Sequence, residues 1–427
     1  MSPTNMTLNL CTFPSAAAAD EARALANPPD PFKLWDPLDS ANPKRFSSQN
    51  DTWRMSPGEP PEHGESSFVV DADPQVFGSG AAVTVSYDFN TDVAVCAENR
   101  ALDGMRGLRY DVIDSILSKV KIHPGLRTYI AFRTLFDGSL DVSLDRVEPY
   151  PKAEVLPDSI LLSVVALSSL RCTHALSWAP NVFLVKSVNV SETDSSDEIR
   201  VFKTSNGEES LAQNAEFMTR LPQVEFLLPP THVVLDDAGG LHGLLLDHHP
   251  ATSLRLVLYN LNPDAETLVL RPATRGLSQD TDNLPVPSVS WSVKLGWCTD
   301  TAACLAWLHS QQIFWGDLKT DNIILCKDGH CRLIDYSPGG RSDAWSASAA
   351  GDVFSLGLVL WSVAVEVDYF EREDSEFVSP LLLWNEETPL WFRTLVSSCV
   401  DDDCSMRPLA RSVYERLTQQ LGVLSTA

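Results

Sequence analysis

Positive charge is scarce in this 427-residue chain: 32 lysines and arginines face 57 aspartates and glutamates, a net charge of −25. That balance repels a nucleic-acid backbone, so no nucleic acid is expected as a partner. It leaves room for basic protein substrates, although solubility alone accounts for such a surface. Long apolar runs are also lacking. No stretch approaches the roughly 18 apolar residues of a membrane span. The opening "MSPTNMTLNLCTFPSAAAAD" has neither the basic start nor the apolar core of a secretory signal. An intracellular protein, cytoplasmic or nuclear, with no membrane partner is expected. The nine cysteines are scattered and odd in number, which argues against a disulfide framework. Cys326 and Cys331 flank a "KDGH" turn, but no second pair sits at a ligand-like spacing, so they read as strand residues rather than zinc ligands.

Hydrophobic residues, at 44%, suffice for real cores in two or three domains. Ten of the 28 prolines fall in the first 66 residues, among Asn, Asp, Ser and Gly, a composition that buries too little surface to offset chain ordering. Residues 1–66 are expected to be a disordered leader. From Phe68 the pattern changes: "AVTVSYDF" alternates, "YDVIDSILSKV" has helical spacing, and "TYIAFRTLFDGSLDVSLDRV" turns at Asp137-Gly138. Residues 67–150 are expected to form a small α+β unit. Strands follow in "NVFLVKSVNV", "EIRVFKTSNG" and "THVVLDDAGGLHGLLLDHH", with one helix in "ESLAQNAEFMTRL", and beyond residue 290 the periodicity is helical. A strand-rich lobe over 151–249 and a helix-rich lobe over 250–427 result.

Chemistry concentrates in "FWGDLKTDNIILCKDGHCRLIDYSPGG", residues 314–340. Phosphoryl transfer needs an acid to orient the attacking hydroxyl, a cation near the moving group and oxygen ligands for magnesium. Asp317, Lys319, Asn322 and Asp335 offer those groups in that order. "IIL" and "CRLID" read as a hairpin that returns Asp335 beside Asn322. Turn and capping duty is the plainer alternative for all four. The segment resembles the catalytic loop and metal-binding segment of the eukaryotic protein kinases, H-R-D-L-K-x-x-N followed by D-F-G. The separations agree too: 18 positions from Asp317 to Asp335 and 13 from Asn322. "LAWLHSQQIF", "GDVFSLGLVLW" and "CSMRPLARSVYERL" resemble flanking segments of that family, extending the resemblance over residues 290–420. It implies an α+β, bilobal protein-kinase-like fold with a small β-rich N-lobe and a helical C-lobe after an N-terminal extension, as in divergent kinase-like proteins of fungi. By resemblance Asp317 is the catalytic base, Lys319 touches the transferred phosphate, and Asn322 and Asp335 hold Mg2+. Asp352 steadies the loop backbone, and His309 packs structurally.

In the strand-rich lobe "RVFK" resembles the family's V-A-I-K strand, which makes Lys203 the candidate for the α- and β-phosphates of ATP, with Lys186 in "FLVK" as the alternative. On the helix that follows, Asn214 stands where the family has an orienting glutamate, leaving Glu216 as the nearby acid. "GLLLDHH" resembles the connector that meets adenine. Several positions depart from the family. "VSETDSSDE" stands where a glycine-rich loop would cradle phosphates, Trp315-Gly316 replaces His-Arg, Tyr-Ser follows Asp335, and 17 positions with no A-P-E separate Asp335 from Asp352. Arg407 thereby loses its usual glutamate. The implied activity is transfer of the γ-phosphoryl of ATP to serine or threonine hydroxyls of a protein substrate. Its rivals are a pseudokinase scaffold and a small-molecule kinase of the aminoglycoside or choline phosphotransferase type, whose H-G-D Gly316-Asp317 resembles.

Overall fold

The computed structural model describes residues 8–28, 53–55, 67–72, 82–87, 128–134, 140–147, 154–157, 159–175, 182–187, 198–204, 210–221, 224–236, 238–262, 268–270, 284, 287–335, 348–368, 370–372 and 379–426. From the N-terminus run α1 (Ala16–Ala26) and the strands β1 (Trp53–Met55), β2 (Ser67–Ala72), β3 (Ala82–Tyr87), β4 (Thr128–Thr134) and β5 (Leu140–Val147). Next come β6 (Ser163–Ala166), β7 (Leu170–Ala175), β8 (Val182–Ser187), β9 (Ile199–Thr204), α2 (Leu211–Arg220), β10 (His232–Leu235) and β11 (Leu241–Asp247). The remainder comprises α3 (Leu254–Leu261), β12 (Leu268–Leu270), α4 (Trp291–Ser310), β13 (Ile323–Leu325), β14 (Cys331–Leu333), α5 (Ala349–Val365), β15 (Phe370–Arg372), α6 (Leu390–Cys399) and α7 (Ala410–Thr426). Two compact units result, one of 35–219 with 230–248, the other of 1–34, 220–229 and 249–427. The first holds the large sheets and the second most of the helices, so the fold is α+β and bilobal in the protein-kinase manner.

In the β-rich unit β1 to β5 form one sheet in chain order, parallel only between β3 and β4. β1 lies before residue 67, inside the expected leader. The helix expected over 110–120 and the turn at Asp137-Gly138 lie outside the described residues. We retain 67–150 as a proposed unit. The second sheet has the order β6-β10-β11-β9-β8-β7, parallel only between β6 and β10. Neighbouring residues of a strand point to opposite faces, and the burial follows. Val234 and Leu245 pack with Val185 and Phe202 on one face, while Val233 and Leu244 pack with Leu211 and Ala215 of α2 on the other. Glu154 caps α2 from outside the helix. Its Oε1 accepts from Leu211 N at 2.8 Å, and its Oε2 accepts from Ala212 N at 3.0 Å and Ser210 Oγ at 2.7 Å. A carboxylate there satisfies orphan N–H groups and faces the positive end of the helix dipole.

At the centre of the helical unit, α4 is buried from Val293 through Leu308. A helix buried all round needs no polar face, and its neighbours α7, α5 and α1 surround it. Its one cation, Lys294, donates to Glu366 Oε1 at 2.7 Å and to Ala364 O at 3.0 Å. Glu366, left-handed at φ 57, ends α5 and also accepts from the N–H groups of Ser288 and Val289. This buried ion pair carried no sequence signal.

The leader expectation is corrected for residues 8–28. Ser15 Oγ caps α1, whose Ala18, Ala22 and Ala26 repeat every four residues on its buried face. Glu21 accepts from Ser290 N and Oγ at 2.9 and 2.6 Å, and Asn27 Nδ2 donates to Lys327 O at 2.7 Å. An alanine face adds little hydrophobicity to a composition count, yet it permits close approach, which is why proline-rich surroundings masked it. Among the described residues, no helix is long and apolar enough to cross a membrane.

Candidate functional site

The β13–β14 hairpin sets the spacing of the site. Ile323 pairs with Leu333, and one step beyond, Ile334 N donates to Asn322 O at 3.0 Å. Asp335 follows at φ 67, a left-handed conformation that a non-glycine residue adopts at a cost of about 1–3 kcal/mol. The backbone therefore brings Asp335 to within one residue of the partner of Asn322. On the other side of Asn322 a single 3-10 turn, Thr320–Asn322, folds its side chain back onto the loop. Asn322 Nδ2 donates to Asp317 O at 2.9 Å and to Asp317 Oδ2 at 3.0 Å. Lys319 Nζ donates to the same Oδ2 at 2.9 Å. Asp317 and Lys319 keep 42% and 44% of their side chains exposed, so solvent screens the pair and it adds little to stability. What the arrangement does is point an acid, an amine and an amide at one place.

Asp352, buried at the start of α5, holds the loop that carries them. Its Oδ2 accepts from Trp315 N and its Oδ1 from Gly316 N, both at 2.8 Å, while His309 Nε2 lies 2.8 Å from Oδ2. A tight turn can aim successive N–H groups at one carboxylate. Gly316, at φ 79, supplies that turn without a Cβ penalty. The glycine that replaces the family's arginine thus has a backbone use here.

Arg255 of α3 reaches Asp321 at 3.1 Å, and Leu325 N donates to Thr252 O at 3.1 Å, fixing the loop and hairpin from a third side. Neither partner was visible in the sequence, since Arg255 lies 66 positions from Asp321. Arg407 donates to Asp401 O and Ala350 O at 2.8 and 3.1 Å and stacks over Phe354 at 4.8 Å. Cys326 and Cys331 are fully buried beside the turn, and burial pushes the Cys326 thiol to about 12.

In the β-rich unit, Lys203 lies in β9 opposite Val182 and Leu244, and Lys186 lies in β8 opposite Ile199. Asn214 and Glu216 both belong to α2. The Glu216 carboxylate accepts from Ser159 Oγ at 2.8 Å. The "GLLLDHH" connector is the end of β11 followed by His248 and His249.

No protein-family model matches the chain. Curated relatives do. The probable serine/threonine-protein kinase PBL20 of Arabidopsis thaliana is 25% identical over 198 residues, covering 40% of this chain and 50% of that protein. The RasGEF domain-containing serine/threonine-protein kinase X of Dictyostelium discoideum is 26% identical over 166 residues, or 32% of this chain and 17% of that one. The dual specificity testis-specific protein kinase 1 of Rattus norvegicus is 28% identical over 169 residues, or 31% and 26%. This chain spans half the length of these relatives or less. Similarity to proteins named as serine/threonine kinases, at 24–28% identity over about a third of the chain, together with the two-unit α+β fold, supports placing this chain in the protein kinase-like superfamily.

Proposed function

We propose that the chain moves the γ-phosphoryl of ATP to serine or threonine hydroxyls of a protein substrate. One observation carries this: Lys319 Nζ and Asn322 Nδ2 meet on Asp317 Oδ2, next to the hairpin end where Asp335 returns. Asp317 orients the incoming hydroxyl and takes its proton. Lys319, half-exposed and flexible, leaves Asp317 to meet the transferred phosphoryl. Asn322 commits its Nδ2 to Asp317, which leaves Oδ1 as an acceptor; that oxygen and the Asp335 carboxylate are hard donors of the kind Mg2+ takes, so the residues fit the ion. Bound magnesium supplies neutralisation of phosphate charge. Lys203 is assigned to the α- and β-phosphates of ATP, and Glu216 to orienting it, which requires Glu216 to release Ser159.

A second reading, a pseudokinase scaffold, draws on the acidic "VSETDSSDE" at the place of a phosphate-cradling loop. Two measurements separate them. Thermal unfolding with ATP and Mg2+ at about 100 times the dissociation constant should gain about 2.7 kcal/mol of stability. No gain at millimolar nucleotide favours the scaffold. Phosphate transfer to a basic protein, with small hydroxyl compounds run in parallel, should fall by about 100- to 10,000-fold in Asp317→Asn. Undiminished transfer by that variant removes Asp317 from its role, and transfer confined to the small compounds assigns the chain to the small-molecule class.

A further inference from the structure

At the turn end of the β13–β14 hairpin, away from Asn322 and Asp335, His330 Nδ1 faces two other ligand-type atoms at once. Asp300 Oδ2 is 2.9 Å from it and Cys11 Sγ 3.8 Å, and the three atoms lie within 4.8 Å of one another. Asp300 is fully buried in α4, Cys11 is buried, and the His330 side chain is 18% exposed. Zn–S of about 2.3 Å and Zn–N or Zn–O of about 2.0–2.1 Å put tetrahedral S and N about 3.6 Å apart, and N and O about 3.4 Å. The Cys11–His330 edge, at 3.8 Å, needs to close by about 0.2 Å, and the His330–Asp300 edge, at 2.9 Å, to open by about half an ångström.

Charge argues the same way. A thiolate, a carboxylate and a neutral imidazole together cancel a dication, and burying ions demands such balance. Among the described residues the ion-pair partner of Asp300 is His330 itself, whose proton Asp300 favours and which a bound dication would displace. Support around the three is in place. Asp300 Oδ1 accepts from Cys11 N at 2.7 Å and its Oδ2 from Cys331 N at 3.1 Å, while the Phe13 ring lies 5.0 Å from the His330 ring. Trp297 Nε1 fixes the turn by donating to Gly329 O at 3.2 Å. Such outer partners orient ligands and tune a metal.

We propose that Cys11, Asp300 and His330 bind a zinc ion, with water at the fourth position, and that the ion fastens residues 8–28 to α4 and to the hairpin turn. The Cys11 thiol gives its proton to solvent on binding, so uptake is pH-dependent. The site lies at the turn end of the hairpin, apart from the proposed phosphoryl-transfer residues.

The test uses the full chain, stripped with a chelator and then loaded with Zn2+ or Co2+. One metal per chain is expected, the Co2+ form showing a thiolate charge-transfer band and tetrahedral ligand-field bands. Cys11→Ser should abolish the charge-transfer band. Both Cys11→Ser and His330→Gln should weaken Zn2+ binding by more than about tenfold, with circular dichroism confirming that each remains folded. Cys404→Ser, at an exposed thiol, should leave the spectrum intact. Zinc loading should slow proteolysis within residues 1–28. Failure to retain Zn2+, a Co2+ spectrum of octahedral type, or a charge-transfer band that survives Cys11→Ser would each overturn the proposal, as would loss of the band in Cys404→Ser.

Discussion

Asp352 gathers three hydrogen bonds on one buried carboxylate, two from the loop at Trp315 and Gly316 and one from His309 of α4. Asp352→Ala strands the Trp315 and Gly316 N–H groups, and a buried donor left unmet costs about 1–3 kcal/mol. Urea unfolding should show a loss of at least about 2 kcal/mol, and His309 should become more accessible to chemical modification. Asp317, Asn322 and Asp335 stood out in the sequence because they match the positions of a kinase motif, and the hairpin register then explains why Asp335 returns near Asn322. Asp352 was legible only through the resemblance of "GDVFSLGLVLW" to a family segment. In the sequence Gly316 is only the replacement of an arginine, and its φ of 79 reveals a backbone role. Cys11 and Asp300 could not be linked, since 289 positions separate them and packing alone brings them together.

Elements with a strong period were equally readable. α4, α5 and the β10–β11 hairpin stand where apolar spacing put them. β6 and β7 escaped notice: β6 is short and mostly exposed at the sheet edge, so its sequence has no burial to record. α1 escaped because alanine carries little hydrophobic signal. Its docking depends on Gly329, whose φ is 88 and where an added Cβ would sit 3.0 Å from Ala22 Cβ and 3.1 Å from Ala22 C. Gly329→Ala should destabilise the helical unit by about 1–3 kcal/mol. Limited proteolysis should then cut within residues 1–28 faster than in the parent chain.

Across the molecule, acid stability should report the buried Lys294–Glu366 pair. Burial alone would raise the Glu366 carboxyl, but Lys294 and the N–H groups of Val289 and Ser288 hold it below its ordinary value. A depressed carboxylate contributes stability that is fully present above its unfolded value, 4.5 here, and is lost as pH falls through the folded one. Glu366→Gln strands a buried ammonium and should cost about 3–5 kcal/mol at neutral pH. Thermal unfolding from neutral pH downward should show the two proteins converging as acid removes the parent's advantage. A constant gap would separate the acid response from this pair.

The attachment of residues 8–28 to the helical unit also bears on synthesis. Cys11 meets His330, 319 positions later. At about 5–20 residues per second, roughly 15–60 s pass between translation of the first and emergence of the second. Throughout that interval the nascent segment has no cradle, so the helical unit closes only after the ribosome has delivered its hairpin turn.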